Sequence, residues 1–403
     1  MTRRSLVVTI AAGLTLLGFP AEAAEPVTVA DNLRFPAGIA FDSTGTMFVT
    51  EREGRILAFE NGRSRTVASI PTITEGETGL LGIAVSPDDR FVYVFGTESD
   101  RTNTVWRVPS EGGEPERVIT RLPGSVYHNG GGVAFGPDGN LYVSNGERHD
   151  ADLAQDSSAM GGKVYRFTPD GGIPADNPFG DSPAWAIGLR NPFGLAIDPV
   201  GGEAFVTENG PESFDEINRI VAGGNYGWPV VSGPAGSGQS EGLEGRYVDP
   251  LLAFVEIIVP TGITFADPAT ARPSVAGDMF FGTYGNQTIY RVVLNERRTG
   301  VLENEIWYRS REPIVALAWG PRGLYYSTPG AVRLFELARA ERPSPGDDGA
   351  VEPPPEDGQP IEDPLDEAPV TLLLFGGAVA VLVGALLYAF GGRAFGRKKK
   401  GRT

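Results

Sequence analysis

The sequence predicts an all-β fold, a six-bladed β-propeller. Three observations carry that expectation. A phrase of a small residue followed by an apolar–small–apolar triplet recurs as Gly38-Ile39-Ala40-Phe41, Gly82-Ile83-Ala84-Val85, Gly132-Val133-Ala134-Phe135, Gly194-Leu195-Ala196-Ile197, Gly262-Ile263-Thr264-Phe265 and Ala316-Leu317-Ala318-Trp319. The copies start 44, 50, 62, 68 and 54 residues apart, the length of one propeller blade. Glycine (55) and proline (33) are abundant in a chain that is 41% hydrophobic, which implies many turns between many strands.

Each copy reads as strand, tight turn, strand. The clearest is Gly132 to Ser144, where Gly136-Pro137-Asp138-Gly139-Asn140 separates two apolar runs. Proline presets φ for such a turn and glycine supplies positive φ. Ser86-Pro87-Asp88-Asp89 and Asp198-Pro199-Val200-Gly201-Gly202 repeat the pattern. Small residues on the inner strands let those strands crowd near an axis. The stretches 145–193 and 209–261 are too long for simple connections and imply extra strands with long loops, where function concentrates on a rigid scaffold.

The ends of the chain read differently. Arg3 and Arg4, the apolar run Leu6–Phe19 and Ala21-Glu22-Ala23 fit a secretory signal over 1–24. The propeller is expected over 25–340. Residues 341–369 hold ten carboxylates, many prolines and almost nothing apolar, the composition of an extended stalk. Val370–Phe390 is 21 residues without a charge, enough to cross a bilayer. Residues 391–403 follow with Arg393, Arg397, Lys398, Lys399, Lys400 and Arg402, a basic tail that stays cytoplasmic by the positive-inside rule. The expected protein is a single-pass membrane protein with its propeller extracellular or periplasmic.

The absence of cysteine excludes disulfides and thiolate–metal sites. Residues 25–340 carry 40 acidic and 25 basic side chains, which argues against nucleic acid as a partner.

Candidate chemistry gathers in three places. His128 lies in Tyr127-His128-Asn129-Gly130-Gly131-Gly132. Its glycines permit close backbone approach to a ligand, and a neutral imidazole there can take a proton near neutral pH. His149, in Glu147-Arg148-His149-Asp150, reads as part of an ordinary charged loop. Arg190 supplies a forked cation before the fourth copy. Gly210-Pro211 with Asp215 and Glu216 forms an oxygen-rich loop of the kind that suits Ca²⁺, or a polar loop without an ion.

These phrases resemble the soluble pyrroloquinoline-quinone (PQQ)-dependent glucose and aldose sugar dehydrogenases. The likeness runs from about Leu33 to Leu337. It is carried by His128-Asn129-Gly130-Gly131, Arg190-Asn191-Pro192, Gly210-Pro211 with Asp215-Glu216-Ile217-Asn218, and Asn225-Tyr226-Gly227-Trp228-Pro229. The resemblance implies a six-bladed propeller and an enzyme that oxidises the anomeric hydroxyl of a small-molecule sugar to a lactone, passing electrons to an acceptor the sequence leaves open; the expected span over 370–390 would make that enzyme membrane-anchored. It implies His128 as general base and Arg190 as the cation polarising the quinone oxygen. Asn191, Asn209 and Asp215 would contact or support PQQ, and Glu77 would contact sugar. Gly210, Pro211, Glu216 and Tyr226 would hold Ca²⁺. The family also grips the quinone carboxylates with basic residues from its later blades. Here the segment Gly277–Asn286 carries no Lys or Arg, and Pro313 and Val315 stand where two arginines are usual. An alternative therefore follows: a cell-surface propeller of this family that has lost tight PQQ binding and binds glycan or protein instead.

Overall fold

The computed structural model describes residues 25–339. The expected signal (1–24), stalk (341–369), span (370–390) and basic tail (391–403) lie outside them. Among the described residues no helix is long and apolar enough to cross a membrane.

The described strands form six sheets, each opening on an inner strand that carries one copy of the repeated phrase. These inner strands are Pro36–Phe41, Leu80–Val85, Val133–Phe135, Pro192–Ile197, Pro260–Phe265 and Leu317–Gly320. Within each sheet the first strands run outward through antiparallel neighbours, and only the outer two strands of the third sheet, Gly224–Asn225 and Arg246–Tyr247, are added in parallel among the described residues. In the first sheet the order is Pro36–Phe41, Met47–Glu51, Arg55–Glu60 and Arg63–Ser69. Each inner strand packs beside the next, and the sixth packs beside the first, so the ring closes. The sixth sheet takes its outer strand from the other end of the domain. Val27–Ala30 pairs antiparallel with Ala331–Glu336, placing Val27 opposite Leu334. The fold is an all-β propeller.

The two long stretches resolve as expected into added structure. The first holds Lys163–Phe167, Ala184–Ile187 and a one-turn helix, Asp152–Gln155. The second supplies Asp215–Ile220 and Leu252–Phe254 to the fourth sheet, and two short strands, Gly224–Asn225 and Arg246–Tyr247, that extend the third.

Two kinds of force hold neighbouring sheets. Apolar clusters fill the spaces between them, such as Tyr93, Phe95, Leu122, Leu141, Val143 and Tyr165 between the second and third; each such side chain contributes about 1.5–3 kcal/mol by leaving water. Hydroxyls on second strands also reach the next sheet. Thr50 donates to the Leu81 carbonyl at 2.5 Å, Thr207 to Thr261 at 2.7 Å, and Ser327 to Pro36 at 2.8 Å. The phrase glycines make this approach possible. A Cβ on Gly82 would fall on the Gly131 carbonyl oxygen, to which the Gly82 amide donates at 3.1 Å. A narrow axial cavity of about 70 Å³ is lined by residues of all six copies.

Antiparallel order fixes where a site can form. The start of each inner strand and the end of each second strand lie at one end of the axis. Segments 74–78, 124–132, 146–149, 188–191, 208–215 and 257–261 all occupy such junctions.

Candidate functional site

These junctions enclose a cavity of about 440 Å³. Of the residues expected to act, His128, Arg190, Asn191, Asn209, Asp215, Glu77 and Gly210 line it. Pro211, Glu216 and Tyr226 do not; they line a small adjoining void with Gly210.

His128 is 6% exposed and adopts φ +58°, a left-handed conformation sparsely used outside glycine. Neighbouring loops hold it there. Its amide donates to Glu77 Oε2 at 2.8 Å, and its carbonyl accepts from Arg148 N at 3.2 Å. Its Nδ1 lies 3.0 and 3.1 Å from the two carboxylate oxygens of Glu147, which is 2% exposed. A carboxylate only accepts, so Nδ1 carries the hydrogen and Nε2 keeps its lone pair in the neutral ring. Nε2 makes no hydrogen bond among the described residues.

His149 corrects the reading of its loop as ordinary. Its ring stacks on His128 with centroids 3.8 Å apart and planes 20° apart, and Tyr127 meets it edge-on at 5.9 Å. Burial, then repulsion from His128, holds His149 below the usual imidazole range. Sequence reasoning gave Glu147 no role and His149 only that of an ordinary loop residue because their loop carries only a charged pattern. The one available signal was that this loop follows the second strand of the sheet His128 introduces.

Asn191 is the hub of the network. Its Oδ1 accepts from Gly130 N at 3.0 Å, its Nδ2 donates to Glu77 Oε2 at 3.2 Å, and its amide donates to Glu208 Oε1 at 2.5 Å. Its side chain is therefore committed to positioning. Arg190 N–H groups donate to the carbonyls of Asn209 at 2.8 Å and Gly210 at 3.0 Å, with the guanidinium 5.5 Å from the Trp228 ring centroid. No carboxylate among the described residues pairs with it at salt-bridge distance. The Arg190 carbonyl accepts from Glu147 N at 2.9 Å, so the cation and the histidine's partner share one backbone link.

Asp215 lines the cavity but spends its oxygens on backbone. It accepts from Gly210 N at 2.8 Å, Ile258 N at 2.7 Å and Val259 N at 2.8 Å. Burial nevertheless raises its pKa, against the opposing pull of those amides. Its work is to join loop 210–215 to the fifth sheet.

The void beside Gly210 holds about 10 Å³, space for one water-sized sphere or a small cation. Glu208 and Glu216 line it with Gly210, Pro211 and Tyr226. Glu208 Oε2 has no hydrogen-bond partner among the described residues, and burial pushes that carboxyl well above its usual range. Burial raises Glu216 as well, although Asn218 and Gly233 donate to it at 2.9 and 2.7 Å. Two buried carboxyls, one with an orphaned oxygen, form an oxygen-donor setting that fits Ca²⁺. The hydroxyl of Tyr226 is not part of it: it donates to Arg219 O at 2.5 Å and accepts from Val221 N at 3.0 Å.

A quinone of three carboxylates needs volume and cations. The volume is present. Arg190 and Arg52 are the cations among the lining residues. Of the arginines on the fifth and sixth sheets and their connections, Arg291 is held by Asp278 and Glu305, Arg322 by Glu336, and Arg311 does not line the cavity. The cavity has volume for such a group and two cations on its lining.

Comparison with known proteins places this geometry. The quinoprotein glucose dehydrogenase B of Acinetobacter calcoaceticus is 33% identical over 51% of this chain and 52% of its own length. The aldose sugar dehydrogenase of Escherichia coli (strain K12) is 29% identical over 50% of this chain and 61% of its own length. The chain thus spans about half to three-fifths of the length of these two relatives. The PQQ-bound aldose sugar dehydrogenase structure from Streptomyces coelicolor superimposes with a TM-score of 0.67 at 30% identity, covering 76% of this chain and 95% of that one. Residues 33–331 match the glucose/sorbosone dehydrogenase family model, and the chain belongs to that family.

Proposed function

We propose that this protein is a PQQ- and Ca²⁺-dependent sugar dehydrogenase that oxidises the anomeric hydroxyl of an aldose to a lactone. One observation carries the reading. His128 lines the cavity with no hydrogen bond to Nε2 among the described residues, while Glu147 holds its Nδ1 from behind.

When bound, the quinone supplies the two-electron acceptor for the hydride of C1. The chain's own residues do the rest. His128 Nε2 takes the proton of the sugar hydroxyl, and Glu147 stabilises the imidazolium that results. Glu77, anchored through Oε2 by His128 and Asn191, offers its other oxygen to a sugar hydroxyl. Arg190, fixed by two carbonyls, directs its remaining N–H donors at developing negative charge in a site already organised for it. Arg190 and Asn209 line the space for the cofactor, and Asn191 and Asp215 hold its walls. Gly210, Pro211 and Glu216, with Glu208 and the backbone at Tyr226, would hold Ca²⁺. Phe35, Leu81, Phe193, Ile257 and Val259 supply apolar walls that exclude water.

The six sheets support reading each as one blade. We also propose that 1–24 directs export and that 370–390 tethers the propeller outside the membrane; a spanning chain would stay in the membrane pellet on alkaline extraction.

The test is dye reduction by the full chain reconstituted with Ca²⁺ and PQQ. Aldoses should drive it, and His128→Ala should abolish it while the quinone still binds. Equal turnover in His128→Ala would refute the assignment of the base.

A further inference from the structure

Arg52 follows the second strand of the first sheet and lines the cavity. The bonds that hold it all go to backbone. Nε donates to Thr78 O at 2.7 Å, and one terminal nitrogen donates to Thr74 O at 3.2 Å and to Gly76 O. The Phe35 ring lies with its centroid 5.5 Å from the guanidinium carbon. These contacts fix the plane of the fork. The other terminal nitrogen makes no hydrogen bond among the described residues, and no carboxylate pairs with Arg52 at salt-bridge distance.

Arg190 shares that state, whereas other arginines of low exposure among the described residues are paired with carboxylates. Arg166 pairs with Asp138 and Asp176, Arg298 with Asp198, and Arg291 with Asp278. Burial lowers the pKa of Arg52, with Tyr284 and Glu77 opposing. A partly desolvated cation without an anion is stabilised by any carboxylate that docks on it. From the later sheets the lining residues are Ile257, Val259, Pro260, Thr261, Tyr284 and Val315, none of them cationic.

We propose that Arg52 receives a carboxylate of the quinone cofactor, standing in from the first sheet for cations the fifth and sixth sheets do not bring. This rests on the function proposed above. The free terminal nitrogen would donate to the carboxylate, and the carbonyl-anchored side would keep the fork aimed.

The experiment titrates the full chain, with Ca²⁺ in excess, with PQQ and with its trimethyl ester, following tryptophan quenching. One charge-assisted hydrogen bond predicts that Arg52→Met weakens PQQ binding about 10- to 100-fold. The ester should bind the variant and the unmodified chain alike, and Arg52→Lys should recover part of the loss. Equal losses for acid and ester would mean that Arg52 only braces loop 74–78, and would overturn the proposal. So would unchanged binding of both. A raised KM for glucuronate but not glucose, with quinone binding intact, would move the anion to the substrate and also overturn it. If the unmodified chain binds neither quinone, the proposed function itself fails and takes this assignment with it.

Discussion

Replacing Glu147 with glutamine tests the pairing on which the proposed base depends. The side chains are nearly isosteric, and Glu147 does not line the cavity, so substrate contacts are left in place. Two effects follow from the 3.0 and 3.1 Å contacts to Nδ1. The imidazolium formed at proton transfer loses a full counter-charge; at roughly 4 Å and an effective dielectric of about 20 that interaction is worth up to about 4 kcal/mol, or roughly 10²–10³ in rate. The glutamine amide also donates. If it donates to Nδ1, the ring hydrogen moves to Nε2 and the lone pair needed by the sugar hydroxyl is gone. A comparable tautomer fault in a Ser-His-Asp site lowers kcat by about 10⁴. The expected fall is therefore about 10² to 10⁴ in kcat, with KM within about threefold. The assay is steady-state dye reduction by the reconstituted full chain, with quinone titration and thermal melting as controls. A variant that keeps kcat within threefold, or fails only through KM, would refute the reasoning.

Two further predictions follow from the structure. Glu208 has a raised pKa in the fold, so the folded state holds its proton more tightly than the unfolded one, and without a cation stability falls as pH rises from the ordinary carboxylate range toward that raised value. Ca²⁺ favours the ionised form, so it should raise the melting temperature more at pH 8 than at pH 5; a shift that is absent or equal at both pH values contradicts the placement of the ion. At the axis, Gly82→Ala drives a Cβ onto the Gly131 carbonyl and should cost about 1–3 kcal/mol or more in denaturant unfolding; a cost under about 0.5 kcal/mol would show that the inner strands can yield.

The architecture was legible because its cause is local and repeated. Each inner strand must crowd its neighbour, so each copy keeps a small residue at one position, and Gly82 shows the contact that enforces it. His128 and Arg190 were legible for a related reason: each stands just ahead of an inner strand, where the glycine-rich or Asn-Pro context is visible in sequence. Partnership across loops was not legible. Glu147 lies 19 residues from His128, and Arg52 lies in a different sheet from every other expected site residue. Neither was an expected site residue, because neither carries a local pattern that marks it. Tyr226 does line the void as its motif suggested, but which of its atoms is free was not legible, since its hydroxyl is spent on Arg219 and Val221. Glu208 drew no notice in sequence because its signal is an oxygen left without a partner, which only packing reveals.

Anaerobic titration tests the central proposal most directly. PQQ is added to the full chain in excess Ca²⁺, an aldose follows, and the quinone absorption is recorded throughout. The prediction is one quinone bound per chain and rapid bleaching by the sugar, with His128→Ala binding the quinone but leaving it oxidised. No binding at micromolar quinone, or bleaching at an unchanged rate in His128→Ala, would contradict it.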